Sequence, residues 1–211
     1  MSNRRLPWLA VLCFLLVEIA LYLALIYAPQ EATMGDVQRI FYFHVAAGWV
    51  SFLAFFVVFI CGIIFLKTGS ARWDRLALSS AELGVLFLTM VLLTGPLWAK
   101  PVWNTWWSWD ARLTTSLVLW LIYVAYLMVR HYASDRERGA RFAAVFGIIG
   151  FLDVPIVYMS IRWWRTLTGP APGREFLLNL RLFIGGALLA GIMLALAALY
   201  EATTLILFAG A

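Results

Sequence analysis

The chain has 211 residues, of which 64% are hydrophobic and 13% are charged. A soluble domain is about half apolar and about a quarter charged, so this composition excludes a soluble enzyme and indicates an integral membrane protein. The net charge of +5 is ordinary for such a protein and gives no reason to expect nucleic-acid binding. The sequence also lacks the GxxxxGK[ST] pattern, so the chain has no ATPase of its own to drive transport.

Six apolar stretches are long enough to cross a hydrocarbon core, which takes about 20 residues. They cover approximately residues 8–28, 41–66, 77–98, 113–129, 142–160 and 178–200. Because the connections are short, the sequence predicts an all-α integral membrane protein, a bundle of six transmembrane helices forming a single domain over residues 1–211. The first stretch is too long for the apolar region of a signal peptide and lacks a small-residue cleavage site, so we interpret it as a retained helix.

The distribution of Lys and Arg predicts that both termini are cytoplasmic. With the N-terminus inside, nine basic residues fall in inner segments and seven in outer segments. Four of the outer seven belong to the single segment 161–181, and without it the ratio is nine to three. The positive-inside rule therefore favours an N-in, C-in arrangement. The excess basic charge in segment 161–181 then needs another reason, such as an anionic ligand.

The cysteines and histidines are few. Cys13 and Cys61 both lie in apolar stretches and form no CxxC pair, so they are expected to be packing residues. His44 lies about one turn inside the outer end of the second stretch, and the small residues after it leave space for a ligand but equally suit close helix packing. His131 lies in an inner turn, a full bilayer away. The other inner turn, 67–76, is interpreted as interface anchoring.

Residues 103–114, the tryptophan segment, have the sequence WNTWWSWDARLT. A short helix over residues 101–110 would place Trp103, Trp106, Trp107 and Asp110 on one face. Alternatively, Asp110 caps the helix that follows, since Asp before an apolar run is a helix-start signal. One interpretation of the indoles is that they are no more than an interfacial belt. Because a belt scatters its rings and this cluster concentrates them, a binding surface for a large, flat, apolar ligand is favoured.

The fifth stretch contains an acid two residues before a proline, Asp153 and Pro155. An acid at that depth is costly and therefore a functional candidate. The alternative is structural, with Asp153 satisfying backbone groups freed by the proline or pairing with a neighbouring arginine. Beyond it, residues 162–165 form a second aromatic and cationic patch, RWWR.

In the predicted topology, His44, the tryptophan segment and the 162–165 patch all reach the outer face. They offer an imidazole, aromatic planes and guanidinium groups. Haem requires those groups, because it needs an axial nitrogen, an apolar wall for the macrocycle and cations for two propionates. The sequence therefore predicts a haem site at this face.

The tryptophan segment resembles the "WWD" motif of the haem-handling proteins of cytochrome c maturation. The six-span length and the SIRWWRTL segment resemble the haem exporter protein C family (CcmC), from the first span to about residue 200, whereas the related CcmF and CcsA types carry more spans or extra domains. The resemblance implies a non-enzymatic protein of the bacterial inner membrane that binds haem b transiently and non-covalently at the periplasmic face. It would pass haem to the chaperone CcmE, beside the ATP-binding-cassette complex CcmA/CcmB and the small membrane protein CcmD.

The resemblance also assigns residues. Its first histidine corresponds to His44 in FHVAAGW, the expected iron ligand, whereas its second outer histidine, directly after WWxTL, corresponds to Thr168. Either the site uses His44 as its one protein histidine, or another group such as Met159 or a partner's residue fills the second axial position. The candidate haem-binding residues are His44, Trp103, Trp106, Trp107, Trp109, Asp110, Arg112, Trp163, Trp164 and Arg165.

Two other functions remain open. A haem-containing redox subunit would need histidine pairs within the spans, and the chain does not supply one. A secondary transporter of a small solute could use Asp153 and Pro155 as a broken helix, but no matching interrupted span is evident in the other half.

Overall fold

The computed structural model describes residues 5–30, 32 and 34–163. The sixth predicted span, 178–200, and the predicted site residues Trp164 and Arg165 lie outside the described residues, as does Thr168. The described part is helical. Its elements are α1 (Arg5–Tyr22), a π-helical turn (Leu23–Tyr27), α2 (Gln38–Thr68), α3 (Ala71–Trp103), α4 (Ala111–Tyr132), α5 (Arg136–Phe151) and α6 (Asp153–Trp163).

Within the part of the chain that the structure describes, four helical segments are long and apolar enough to cross a membrane. They are α2, α3, α4 and the combined stretch of α5 and α6 up to Ser160. The shortest has 22 residues, or about 33 Å at 1.5 Å per residue, against a hydrocarbon core of about 30 Å. They coincide with the predicted spans 41–66, 77–98, 113–129 and 142–160, so the described part of the chain has the fold of a helical membrane protein. The first predicted span corresponds to α1 and the π-helical turn, whose apolar stretch Phe14–Tyr27 is shorter.

Short turns make successive helices antiparallel neighbours. Gly69 ends α2 with a left-handed φ of 67°, and its N–H donates to the Phe65 carbonyl at 2.8 Å. Glycine suits this position because it has no Cβ to clash. Asp135 begins α5 by accepting from the backbone N–H groups of Glu137 and Arg138. These turns set α2 against α3, and α4 against α5.

The core lies where α2, α3, α4 and α5 meet. The rings of Phe55 and Tyr123 stack at 3.7 Å, and the Tyr123 hydroxyl donates to the Gly147 carbonyl at 3.0 Å. A Cβ at Gly84 would lie 2.3 Å from the Phe55 ring, and one at Gly147 would lie 2.7 Å from Val58. The close approach of these helices therefore depends on small residues, as is common in membrane bundles.

Two proline positions behave differently. The third span is predicted to end at about residue 98, but α3 continues through Pro96 and Pro101 to Trp103, which corrects the predicted boundary. The φ of proline is compatible with a helix, and membrane helices tolerate it where neighbouring groups satisfy the backbone. At Pro155 the helix does break, because α5 ends at Phe151, whose carbonyl the Pro155 ring would meet in a continuous helix. Neither proposed pairing of Asp153 is seen in the described residues, since its buried Oδ2 has no hydrogen-bond partner there.

The bundle has two chemically different ends. At the end remote from His44, Arg130 of α4 forms two hydrogen bonds to Asp74 of α3, at 2.8 and 3.0 Å. The two side chains are 6% and 15% exposed, so this is a buried ion pair that ties the helices together. His131 follows Arg130 directly, about 29 Å along α4 from its first turn. The predicted separation of the two histidines is therefore observed.

Candidate functional site

One cleft at the His44 end of the bundle brings together α2, α3, α4, α6 and the tryptophan segment. Its volume is about 200 Å³. Three of the predicted site residues line it, namely His44, Trp107 and Arg112. The cleft thus brings His44 together with the tryptophan segment, and the guanidinium that lines it is that of Arg112 in the same segment.

The backbone of the tryptophan segment differs from one of its two predicted shapes. α3 ends at Trp103, and Asn104 terminates it with a left-handed φ of 57°, a conformation that asparagine tolerates. Residues 104–110 are not helical, so the short helix over 101–110 is wrong. The other alternative is confirmed: Asp110 caps α4, accepting from the Leu113 N–H and from the Ser108 hydroxyl, each at 3.0 Å.

This backbone distributes the indoles instead of placing them on one face. Trp107 lines the cleft, and its buried Nε1 has no hydrogen-bond partner among the described residues. Trp109 packs edge-on against Trp107, with ring centroids 5.9 Å apart, but is 77% exposed. Trp106 is also exposed, at 57%. Trp103 turns away and packs against Trp98 at 4.7 Å. Only one of the four indoles is therefore a wall of the cleft.

His44 is held by a hydrogen bond from one ring nitrogen. Nδ1 lies 2.9 Å from the Thr94 Oγ1 of α3, and the Thr94 hydroxyl lies 2.7 Å from the Met90 carbonyl. No hydrogen bond of Nε2 is found among the described residues. Gly95 allows the ring to lie close to α3, since a Cβ there would be 3.4 Å from His44 Cε1. The imidazole is thus oriented by one nitrogen and available at the other.

Arg112 provides positive charge in the same cleft. It lies in the first turn of α4, where the helix dipole also favours an anion. Within the described residues its side chain forms no ion pair and no hydrogen bond. The nearby carboxylate of Asp110 instead accepts hydrogen bonds as the helix cap. Arg112 is therefore a half-buried cation that can receive an anionic group.

α6 contributes residues that the sequence patterns did not identify. Tyr158 lines the cleft and packs against Trp49 of α2, with ring centroids 6.1 Å apart. Trp49 is five residues after His44 and Tyr158 shortly precedes the RWWR patch, so proximity to known motifs was the available signal. Met159, the alternative iron ligand, does not line the cleft. Trp163 ends α6 and is 59% exposed.

Comparison with known proteins gives a consistent result. The sequence model of the family "Heme exporter protein C" matches residues 1–209. The chain is similar to Heme exporter protein C of Bradyrhizobium diazoefficiens, with 37% identity over 81% of this chain and 65% of that protein. It is also similar to the proteins of the same name from Escherichia coli K12, with 34% identity over 76% of this chain and 66% of that protein, and from Haemophilus influenzae, with 33% identity over 76% and 65%. The match thus spans about two thirds of the length of these relatives. Because the family match extends over nearly the whole sequence, the chain belongs to the heme exporter protein C family.

Proposed function

We propose that this protein binds haem non-covalently in the cleft at the His44 end and delivers it to a haem chaperone for c-type cytochrome biogenesis. The observation that carries the proposal is that His44 of α2 lines one cleft together with Trp107 and Arg112 of the tryptophan segment. The relatives are named as heme exporters, which supports haem as the ligand.

Each of the three groups suits a different part of haem. The Nε2 of His44 can ligate iron, since Nδ1 already has a partner. Trp107 offers an apolar plane to the macrocycle. Arg112 can form bidentate hydrogen bonds to a propionate. His131 lies at the opposite end of α4, and these are the chain's two histidines. His44 is therefore the proposed histidine ligand from this chain, and the same separation argues against a redox subunit that needs a histidine pair.

The size of the cleft suits a carrier. At about 200 Å³ it is smaller than the roughly 300–1,000 Å³ of pockets that enclose their ligand. Haem would therefore be held partly inside, with one edge projecting beside the exposed rings of Trp106 and Trp109. A ligand held by its edge remains accessible to an acceptor. This argues for transfer and against permanent retention, and no enzymatic step is proposed.

The proposed setting is a bacterial inner membrane, with one domain of six spans, both termini in the cytoplasm and the cleft at the periplasmic face. The start of α2, the end of α3 and the start of α4 all meet at the His44 end. The basic residues of the inner turns lie at the other end, as the positive-inside rule requires. The proposed partners are the chaperone CcmE, the complex CcmA/CcmB and CcmD. Their assignment rests on the family.

The test is a two-step binding and transfer measurement. Hemin is titrated into the detergent-purified protein, and the Soret absorbance is followed to saturation. The loaded protein is then mixed with a tagged haem chaperone, and the two are separated. We expect saturable binding at one haem per chain followed by movement of haem to the chaperone. Absence of a saturable Soret band would overturn the proposal, and haem that binds but never moves would overturn its transfer step.

A further inference from the structure

We propose that Thr94 is a positioning residue that holds His44 as the Nδ1–H tautomer and thereby leaves the lone pair of Nε2 free to bind the haem iron. This inference rests on the proposed function, because it takes His44 as the iron ligand. It adds a residue on a different helix, in a stretch that carries none of the haem motif.

The direction of the hydrogen bonds follows from a count of protons. The Thr94 hydroxyl has one proton and lies 2.7 Å from the Met90 carbonyl oxygen, which can only accept. If that proton were directed at His44 instead, two oxygen lone pairs would face each other at 2.7 Å. The hydroxyl therefore donates to Met90 and accepts from His44 across the 2.9 Å contact. Because Nδ1 donates this hydrogen bond, it carries the proton. In a neutral imidazole the other nitrogen, Nε2, is then unprotonated.

The neighbouring structure makes this arrangement rigid. The bond from Thr94 to the Met90 carbonyl, one turn earlier, fixes the hydroxyl on α3, so its acceptor lone pair has a defined direction. Donation to Met90 also polarises the hydroxyl and strengthens it as an acceptor. Next to it, Gly95 leaves the room that lets the imidazole approach α3. The ring is thus oriented by α3 while its free nitrogen belongs to the cleft.

α3 contains a second copy of the same device, which provides a matched control. The Thr89 hydroxyl donates to the Val85 carbonyl at 2.7 Å and accepts from the Trp120 indole N–H at 2.8 Å. Thr89 and Thr94 thus make equivalent bonds on one helix, but only Thr94 contacts His44. A loss caused by general weakening of α3 would follow from changing either residue. A loss caused by the orientation of His44 would follow from changing Thr94 alone.

The expected effects are on affinity and on redox potential. Removing the partner of a metal-bound histidine typically weakens binding by about 10–100-fold. A group that accepts a hydrogen bond from Nδ1–H also increases the electron donation of the imidazole to iron, which favours the ferric state. Loss of that acceptor should therefore raise the midpoint potential of the bound haem. A purely structural role for Thr94 would not shift the potential in this direction.

The experiment compares Thr94→Val, Thr94→Ser and Thr89→Val with the wild-type protein, each purified and titrated with hemin and then poised electrochemically. We expect Thr94→Val to bind hemin about 10–100-fold more weakly and at a higher midpoint potential. Thr94→Ser, which keeps the hydroxyl, should restore both quantities, and Thr89→Val should match the wild type. Thr94→Ala provides the same comparison if the valine variant does not fold.

Three results would overturn the inference. The first is an unchanged affinity and potential in Thr94→Val, and the second is an equal loss in Thr89→Val. The third is a fall in affinity without a rise in potential, or without rescue by serine. Failure of the proposed function is recognised separately, since hemin would then bind equally to His44→Ala and the wild type. If His44→Ala loses haem and Thr94→Val does not, only the role of Thr94 is wrong.

Discussion

His44 of α2 and Arg112 of α4 line the same cleft, although a whole helical hairpin separates them in the sequence. A haem whose iron is bound by the imidazole would direct its negatively charged edge toward a guanidinium that has no ion-pair partner in the described residues. In the proposed site, these two residues would set the orientation of the macrocycle as well as its position.

Arg112→Gln is expected to lower hemin affinity by roughly ten- to a hundredfold, since a hydrogen bond to a charged group contributes about 1.5–3 kcal/mol. Arg112→Lys should recover part of the loss, because it keeps the charge without the planar fork. The measurement is a Soret titration. Haem with both propionates esterified is the control ligand, and it should bind the wild type and Arg112→Gln equally. A full difference with the ester would show that Arg112 does not contact the propionates.

Trp107→Ala is expected to weaken hemin binding by about 1.5–3 kcal/mol, the value for a large apolar side chain that becomes fully buried. The matched change is Trp109→Ala, in the same segment but at a ring that is 77% exposed. Trp109→Ala should cause a smaller loss, because its exposed ring can contact only the projecting edge of the haem. Equal losses in the two variants would mean that Trp107 has no special position in the cleft, and no loss in either would reduce the indoles to an interfacial belt.

The proposed orientation can be tested with single cysteines at two exposed positions, Trp109 and Arg136, in a protein whose Cys13 and Cys61 have been replaced. Trp109→Cys should react with an impermeant maleimide added to intact spheroplasts. Arg136→Cys should react only after the membrane is opened, because the two residues lie at opposite ends of the bundle. Labelling of both from the outside would contradict the topology.

The buried pair between Asp74 and Arg130 should be a stability element remote from haem binding. Arg130→Met leaves a buried carboxylate without its partner, and we expect a loss of about 3–5 kcal/mol in the free energy of unfolding. Arg141→Ala breaks an exposed pair with Glu137 and should cost at most about 1 kcal/mol. Thermal unfolding in detergent measures both. A similar small loss in the two variants would show that the Asp74–Arg130 pair is not buried in the folded protein.

Local patterns in the sequence were sufficient for the long helices and for the proximity of the site residues. Each span is a long and mostly apolar run, and short turns make neighbours antiparallel, so His44 and the tryptophan segment were expected to meet. The shape of the segment was not determined. Trp103 and Asp110 fit both a single helix and a cap, and the choice depends on how far α3 continues past Pro96 and Pro101.

Contacts between helices were the part that sequence patterns could not supply. Thr94 resembles any other threonine of an apolar helix, and its role follows only from the rotation that points it at His44. The sequence pattern around Asp74 indicates only interface anchoring. In the structure its carboxylate pairs with Arg130 of α4. Both depend on packing between distant segments. The predicted haem-binding roles of Trp164 and Arg165 remain predictions.

The most direct test of the haem site is the Soret spectrum of His44→Ala beside that of His131→Ala, each purified and titrated with hemin. These changes remove the chain's two histidines one at a time. We predict that His44→Ala abolishes or grossly alters the Soret band, because iron loses its imidazole, and that His131→Ala leaves the band unchanged. An unaltered spectrum in His44→Ala, or an equal change in both variants, would contradict it.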